Sequence, residues 1–147
     1  MIERLVIVGV GLIGGSFALA LKQAGAVRTV AGLGRSPEAM ARALELGIID
    51  EICATAQEAM RGADLVLLAA PVGQTGAILA SLLPHLEPHT IVTDAGSTKC
   101  DVVAAARAAL GGRIGQFVPG HPIAGSESNG PDAAMAGLYR GKKTVLT

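Results

Sequence analysis

Leu5-Val6-Ile7-Val8-Gly9-Val10-Gly11-Leu12-Ile13-Gly14-Gly15-Ser16 decides how the rest of this chain is read. Four consecutive aliphatic residues, Leu5 to Val8, suit a strand buried on both faces. Gly9, Gly11 and Gly14 then form GxGxxG directly after that strand and at the opening of a helix. That context gives the string its meaning as a dinucleotide site. The first glycine permits a tight turn, the second lets the backbone approach a pyrophosphate, and the third lets helix and strand pack closely. The helix N-terminus adds unpaired N–H groups and a partial positive charge.

Outward from this turn the chain alternates strand and helix. Ser16 to Gln23 reads as the first helix, ending near Gly25. Thr29 to Gly34 is a second strand, and Pro37 starts a second helix stopped by Gly47. Ile48, Ile49 and Ile52 mark a short third strand, and Gln57 to Met60 one helical turn. Leu65 to Ala69 is the clearest strand, ended by Pro71. A helix over Gln74 to Leu83, a strand over Thr90 to Thr93, an alanine-rich helix over Thr98 to Leu110 and a strand over Gln116 to Val118 follow. His121 falls in a loop, and Thr144 to Thr147 begins a seventh strand. The pattern predicts an α/β fold, a Rossmann-type doubly wound and mainly parallel sheet, with residues 1–147 forming one dinucleotide-binding domain.

Bulk properties narrow the function. The 147 residues carry 12 basic and 12 acidic side chains, so no polyanion-binding surface is indicated. There is no Trp, one Tyr and two Phe, which leaves no stacking platform for nucleic acid and makes the core aliphatic. Leu5 to Leu21 is uncharged, but its glycines, its shortness against the ~20 residues of a span and the mixed charges of Glu3 and Arg4 argue against a membrane segment or signal peptide. Cys53 and Cys100 form no CxxC pair and group with no histidine at zinc-site spacing. His85 and His89 are separated by helix-breaking Pro84 and Pro88, so no metal site is expected. So few cysteines suit a reducing cytoplasm.

The cofactor-binding set is Gly9, Gly11, Leu12, Ile13 and Gly14 of the turn, Arg35 and Ser36 after the second strand, and Ala70 and Pro71 after the fourth. NAD-preferring domains place an acid about 20 residues beyond the glycines, on the ribose 2′-hydroxyl. Here Gly34 holds that place. Arg35 and Ser36 follow, a guanidinium and a hydroxyl suited to a 2′-phosphate. The reading is NADP or NAD, with NADP slightly favoured.

Gly120-His121-Pro122-Ile123-Ala124-Gly125-Ser126-Glu127 places an imidazole in a glycine- and proline-rich stretch of that domain. An unperturbed imidazole is mostly neutral at working pH and can serve as a general base. A base beside a hydride acceptor suggests alcohol oxidation; the alternative is a loop histidine that caps backbone groups. Asp94 is read as fixing a turn, Cys100 as a packed helix residue. Lys99 could bind a carboxylate or be solvated.

Three motifs in order, Gly9 to Ser16, Thr93-Asp94-Ala95-Gly96-Ser97-Thr98-Lys99 and Gly120 to Glu127, extended by Gly130-Pro131 and Leu138 to Lys142, resemble the nucleotide-binding half of the prephenate and arogenate dehydrogenases. The first motif is generic, while the second and third together are fairly specific. The resemblance covers essentially the whole chain. It implies an NAD(P)-dependent oxidative decarboxylation in tyrosine biosynthesis, in which His121 takes the proton of the ring 4-hydroxyl. Ser97 would lie between nicotinamide and histidine, catalytic and substrate-binding, and Ser126 and Glu127 would line the substrate pocket. The family continues into a helical domain that dimerises and supplies arginines for the substrate carboxylates, so this chain reads as a fragment of a longer, homodimeric parent. Prephenate against arogenate preference stays open. Two other readings are a 3-hydroxyacid-type dehydrogenase, whose catalytic lysine lies in its helical part and leaves His121 unexplained, and a non-catalytic NADP-binding sensor, which needs neither Ser97 nor His121.

Overall fold

The computed structural model describes residues 1–125 and 128–147; Ser126 and Glu127 lie outside the described residues. Strands β1 (Ile2–Val8), β2 (Val27–Leu33), β3 (Glu51–Ile52), β4 (Leu65–Leu68), β5 (Ile91–Asp94) and β6 (Phe117–Val118) form a parallel sheet in the order β3-β2-β1-β4-β5-β6. The chain therefore reverses its direction of winding between β1 and β4. At such a switch point the connections leave the two strands toward opposite faces, and a crevice opens at their carboxyl ends.

The continuous apolar run of β1 serves two cores at once. Leu5 and Ile7 point to one face, where Ala18 of α1 (Leu12–Gln23) and Met40 and Ala43 of α2 (Pro37–Glu45) cover them. Val6 and Val8 point to the other face. There they meet α3 (Ala56–Met60), α4 (Thr75–Leu82) and α5 (Lys99–Leu110) through Met60, Leu79, Leu82, Val102 and Ala106. Helix starts follow capping chemistry: the side chains of Ser36 and Thr55 accept from the backbone N–H groups of Ala39 and Glu58.

The third strand is shorter than the three isoleucines predict. Ile48 and Ile49 lie in the turn after α2, each 1% exposed. Gly47, at φ +73°, reverses the chain, and the N–H groups of Ile48 and Ile49 close back onto the carbonyl of Ala43. Their side chains are apolar because they plug the core, Ile49 beneath Gly32.

His121 is not in a loop. It is the middle residue of β7 (Gly120–Pro122), which pairs antiparallel with β8 (Thr144–Leu146) in a separate two-stranded ribbon, His121 opposite Val145. The closing stretch is thus a strand, but it joins this ribbon and not the parallel sheet. Cys100 is on α5 as expected but exposed. The helix buries Val102, Ala106 and Leu110, a spacing that turns Cys100 outward. Cys53 is buried, and burial pushes its thiol pKa up.

The segment between β7 and β8 returns over α1. Met135 N–H donates to Ser16 Oγ at 3.0 Å, the Tyr139 hydroxyl donates to the Ile13 carbonyl at 2.7 Å, and Ala134 packs over Gly15. Arg42 pairs with Asp132 at 2.7 Å and, by its hydrogen bond, holds that carboxyl below the usual range. Burial pushes the Tyr139 phenol up to about 12 from an ordinary 10. The neutral phenol is the folded form, so its contribution is complete below pH 10 and is lost as pH rises through about 12. Tyr139→Phe keeps the edge contact with Phe17 but loses the hydrogen bond. It should cost about 1 kcal/mol at neutral pH and remove the loss of stability between those two pH values. Thermal melts of both proteins across that range check this.

Candidate functional site

The carboxyl ends of β1, β2 and β4 open onto a cleft of about 570 Å³. Gly9 and Gly11 form one edge, Gly34, Arg35 and Ser36 a second, and Ala70 and Pro71 a third. The sequence-predicted cofactor residues are thus brought together, except Leu12, Ile13 and Gly14, which form the first turn of α1 behind the cleft.

Each glycine of the turn has a distinct physical reason. Gly9 sits at φ +92°, and a Cβ there would stand 2.9 Å from the backbone of Ala69 and Ala70. Gly14 has no room for one: it would lie 2.5 Å from the Gly9 carbonyl oxygen and 2.7 Å from Ile7 Cγ2. Gly11 is the reverse case, with nothing within 4 Å of a built Cβ. Its open side faces the cleft, just where the backbone can be approached and where α1 presents its unpaired N–H groups. A dinucleotide pyrophosphate fits this cradle.

Arg35 is exposed at the cleft edge. The Ser36 hydroxyl is already engaged, accepting from Ala39 N–H at 3.2 Å and donating to Glu38 at 3.3 Å. The wall opposite the glycines was not anticipated: Gln74, Ala77, Ile78 and Ser81 line the cleft from α4 and the turn before it. Their spacing of three to four residues, one helical face, was the available signal.

His121 and Ser97 do not line this cleft. They lie further along the carboxyl edge of the sheet, beyond β5. Ser97 is exposed in the turn between β5 and α5, and His121 is half-buried on β7. Asp94, at the end of β5, joins the two segments. It is 4% exposed, accepts from Gly96 N–H at 2.9 Å through Oδ2 and from Gly120 N–H at 3.1 Å through Oδ1. The expected turn-fixing role is present, and it extends across to the residue before His121. Of the two readings of Lys99, solvated or bound to a carboxylate, the structure shows the second, with a carboxylate of the chain itself: its ammonium pairs with Asp94 Oδ2 and donates to the Gly120 carbonyl at 2.7 Å. A second cavity of about 130 Å³ lies beside this ribbon, between Phe17, Ala95, Pro122 and Tyr139. Among the described residues no helix is long and apolar enough to cross a membrane.

A family model described as prephenate dehydrogenase, nucleotide-binding domain, matches residues 17–147. Cyclohexadienyl dehydrogenase of Zymomonas mobilis is 39% identical over 99% of this chain and 49% of its own length. The crystal structure of prephenate dehydrogenase from A. aeolicus in complex with hydroxyphenyl propionate and NAD+ superposes with a TM-score of 0.91 at 38% identity, over 100% of this chain and 51% of that one. Synechocystis arogenate dehydrogenase gives a TM-score of 0.87 at 32% identity, over 99% and 50%. The chain spans about half the length of these relatives.

Proposed function

The chain belongs to the prephenate dehydrogenase family, as its nucleotide-binding domain, and from that premise we propose that residues 1–147 are the cofactor-holding half of an enzyme that oxidatively decarboxylates prephenate, arogenate or both, toward tyrosine. The observation that carries the reading is the placement of His121. It stands on a strand bonded through Gly120 to the end of β5, at the same sheet edge as the glycine cradle. A sensor module would need the cradle without that strand, and a 3-hydroxyacid-type enzyme would leave it without work.

When bound, the dinucleotide supplies a two-electron acceptor. Gly9, Gly11 and the first turn of α1 would hold its pyrophosphate, and Ala70 and Pro71 line the same cleft. His121 accepts the proton of the substrate's ring 4-hydroxyl as the carbon bearing it is oxidised. Ser97, in the turn after β5, would bond both cofactor and substrate. Ser126 and Glu127, outside the described residues, line the substrate pocket in this proposal. Loss of carbon dioxide leaves an aromatic phenol, which makes the reaction effectively irreversible. The remaining half of the parent supplies the groups that hold the substrate carboxylates and the contact that makes a homodimer in the cytoplasm.

The cofactor proposal, NADP slightly over NAD, rests on Arg35, since no acid occupies position 34 and the Ser36 hydroxyl caps α2. Arg35→Ala should weaken NADP by roughly tenfold, the worth of one charge-assisted contact, and NAD by much less. Calorimetric titration with both cofactors checks this, and equal losses would show that Arg35 does not hold a 2′-phosphate. The activity itself is tested in the full-length parent with prephenate and arogenate, each with NAD and NADP. Reduction of neither cofactor by either substrate overturns the reading.

A further inference from the structure

We propose that Asp94 and Lys99 are positioning residues for His121: their ion pair grips both backbone groups of Gly120 and thereby sets where the imidazole stands. The inference rests on the reading of His121 as the general base. Asp94 Oδ1 accepts the Gly120 N–H at 3.1 Å, and Lys99 Nζ donates to the Gly120 carbonyl at 2.7 Å while pairing with Asp94 Oδ2. The Gly120 carbonyl belongs to the peptide that joins Gly120 to His121, so the grip is one bond from the histidine's own backbone. Both charged side chains are sequestered, at 3% exposure for Asp94 and 14% for Lys99.

The surroundings make the grip rigid. Thr93 Oγ1 donates to the Val118 carbonyl at 2.7 Å, so β5 also fixes the strand leading into Gly120. A Cβ on Gly120 would stand 3.2 Å from the Asp94 carbonyl oxygen, tighter than an ordinary contact, so a side chain there would push the strand back by a few tenths of an ångström. The same carboxylate holds Gly96 N–H at 2.9 Å, next to Ser97. One buried pair thus references the Ser97 turn and the His121 strand to the same point on the sheet. A base must sit within hydrogen-bond reach of the proton it takes, and small displacements of such a group are costly in rate.

The test is a double-mutant cycle in the full-length parent, with prephenate and arogenate as probes. Lys99→Met removes the ammonium and keeps an apolar stem. Asp94→Asn combined with Lys99→Met removes both charges, so it guards against misfolding caused by a buried unpaired carboxylate, and the asparagine's single side-chain oxygen still accepts from one of the two N–H groups, Gly96 or Gly120. In either variant kcat should fall by roughly tenfold to a hundredfold. KM and the cofactor Kd should stay near wild type, and hydrogen exchange should quicken at Gly120 and His121. In a His121→Asn background the same changes should cost nothing further. The proposal is overturned by kcat within about twofold of wild type, by an equal loss in both backgrounds, or by a double variant that no longer binds cofactor, which makes the pair purely structural. A rise in KM at unchanged kcat also overturns it and assigns Lys99 to a substrate carboxylate. A wild-type parent inactive on both substrates, or a fully active His121→Asn, is a distinct result that defeats the reading of the site itself.

Discussion

Replacing His121 by Asn in the full-length parent should lower kcat by roughly 10²–10⁴-fold, the range for losing a general base. Asparagine retains a polar side chain of similar size but cannot take up a proton near neutral pH. The cofactor Kd should hardly move, because His121 stands outside the cleft formed by the glycine turn, Arg35 and Pro71. The fold should survive as well. His121 is held in β7 by backbone pairing opposite Val145, and that pairing does not depend on the side chain. Steady-state kinetics, cofactor titration and a thermal melt on the same preparation separate the three quantities. Near-normal kcat would leave the histidine as a strand residue only and end the proposed mechanism.

Gly14→Ala should be the most damaging of the minimal substitutions in the glycine turn, and its sign is informative. In an ordinary helix interior, Gly→Ala stabilises by roughly 0.5–1 kcal/mol. Here the methyl would meet the Gly9 carbonyl oxygen at 2.5 Å and Ile7 Cγ2 at 2.7 Å. The first of these is backbone and cannot swing away. The change should therefore destabilise the domain by about 1–3 kcal/mol, as overpacking does. It should also displace the N-terminus of α1 and lower cofactor affinity more than tenfold. Gly11→Ala is the complementary case. Its φ of −124° is one that other residues adopt, and a Cβ there meets nothing within 4 Å. It should leave the melting temperature unchanged while weakening NAD and NADP, because the added methyl enters space reserved for the ligand. If Gly11→Ala binds both as tightly as wild type, that open side is not where the pyrophosphate lies.

What could be read from the chain and what could not divide along the range of the interactions involved. The buried strand Leu5 to Val8, the glycine turn and the helix that follows are local: continuous apolar sequence and three glycines encode them within a dozen residues. The parallel sheet follows from the same kind of signal repeated, since alternating strands and helices pack in few ways. Even so, Ile48 and Ile49 mislead, because an apolar run does not distinguish a strand from a turn that plugs a core. The glycine that reverses the chain, Gly47, is the local hint.

The rest was decided by contacts between distant residues. The pairing of His121 with Val145 joins the closing strand, which is legible in the sequence, to a glycine- and proline-rich stretch that carries no strand pattern, so the imidazole reads as a loop residue until the ribbon is seen. The α4 wall of the cleft depends on which helix face the sheet leaves uncovered. Lys99 shows the limit most clearly. By itself it is equally a carboxylate ligand or a solvated lysine. Only the fold brings its ammonium to Asp94 and to the carbonyl of Gly120. The sequence by itself determined the fold class, the cofactor turn and the candidate base, because these rest on short-range sterics and residue chemistry. The tertiary structure alone decided how that base is held, because a buried charge takes whichever partner the packed chain places beside it.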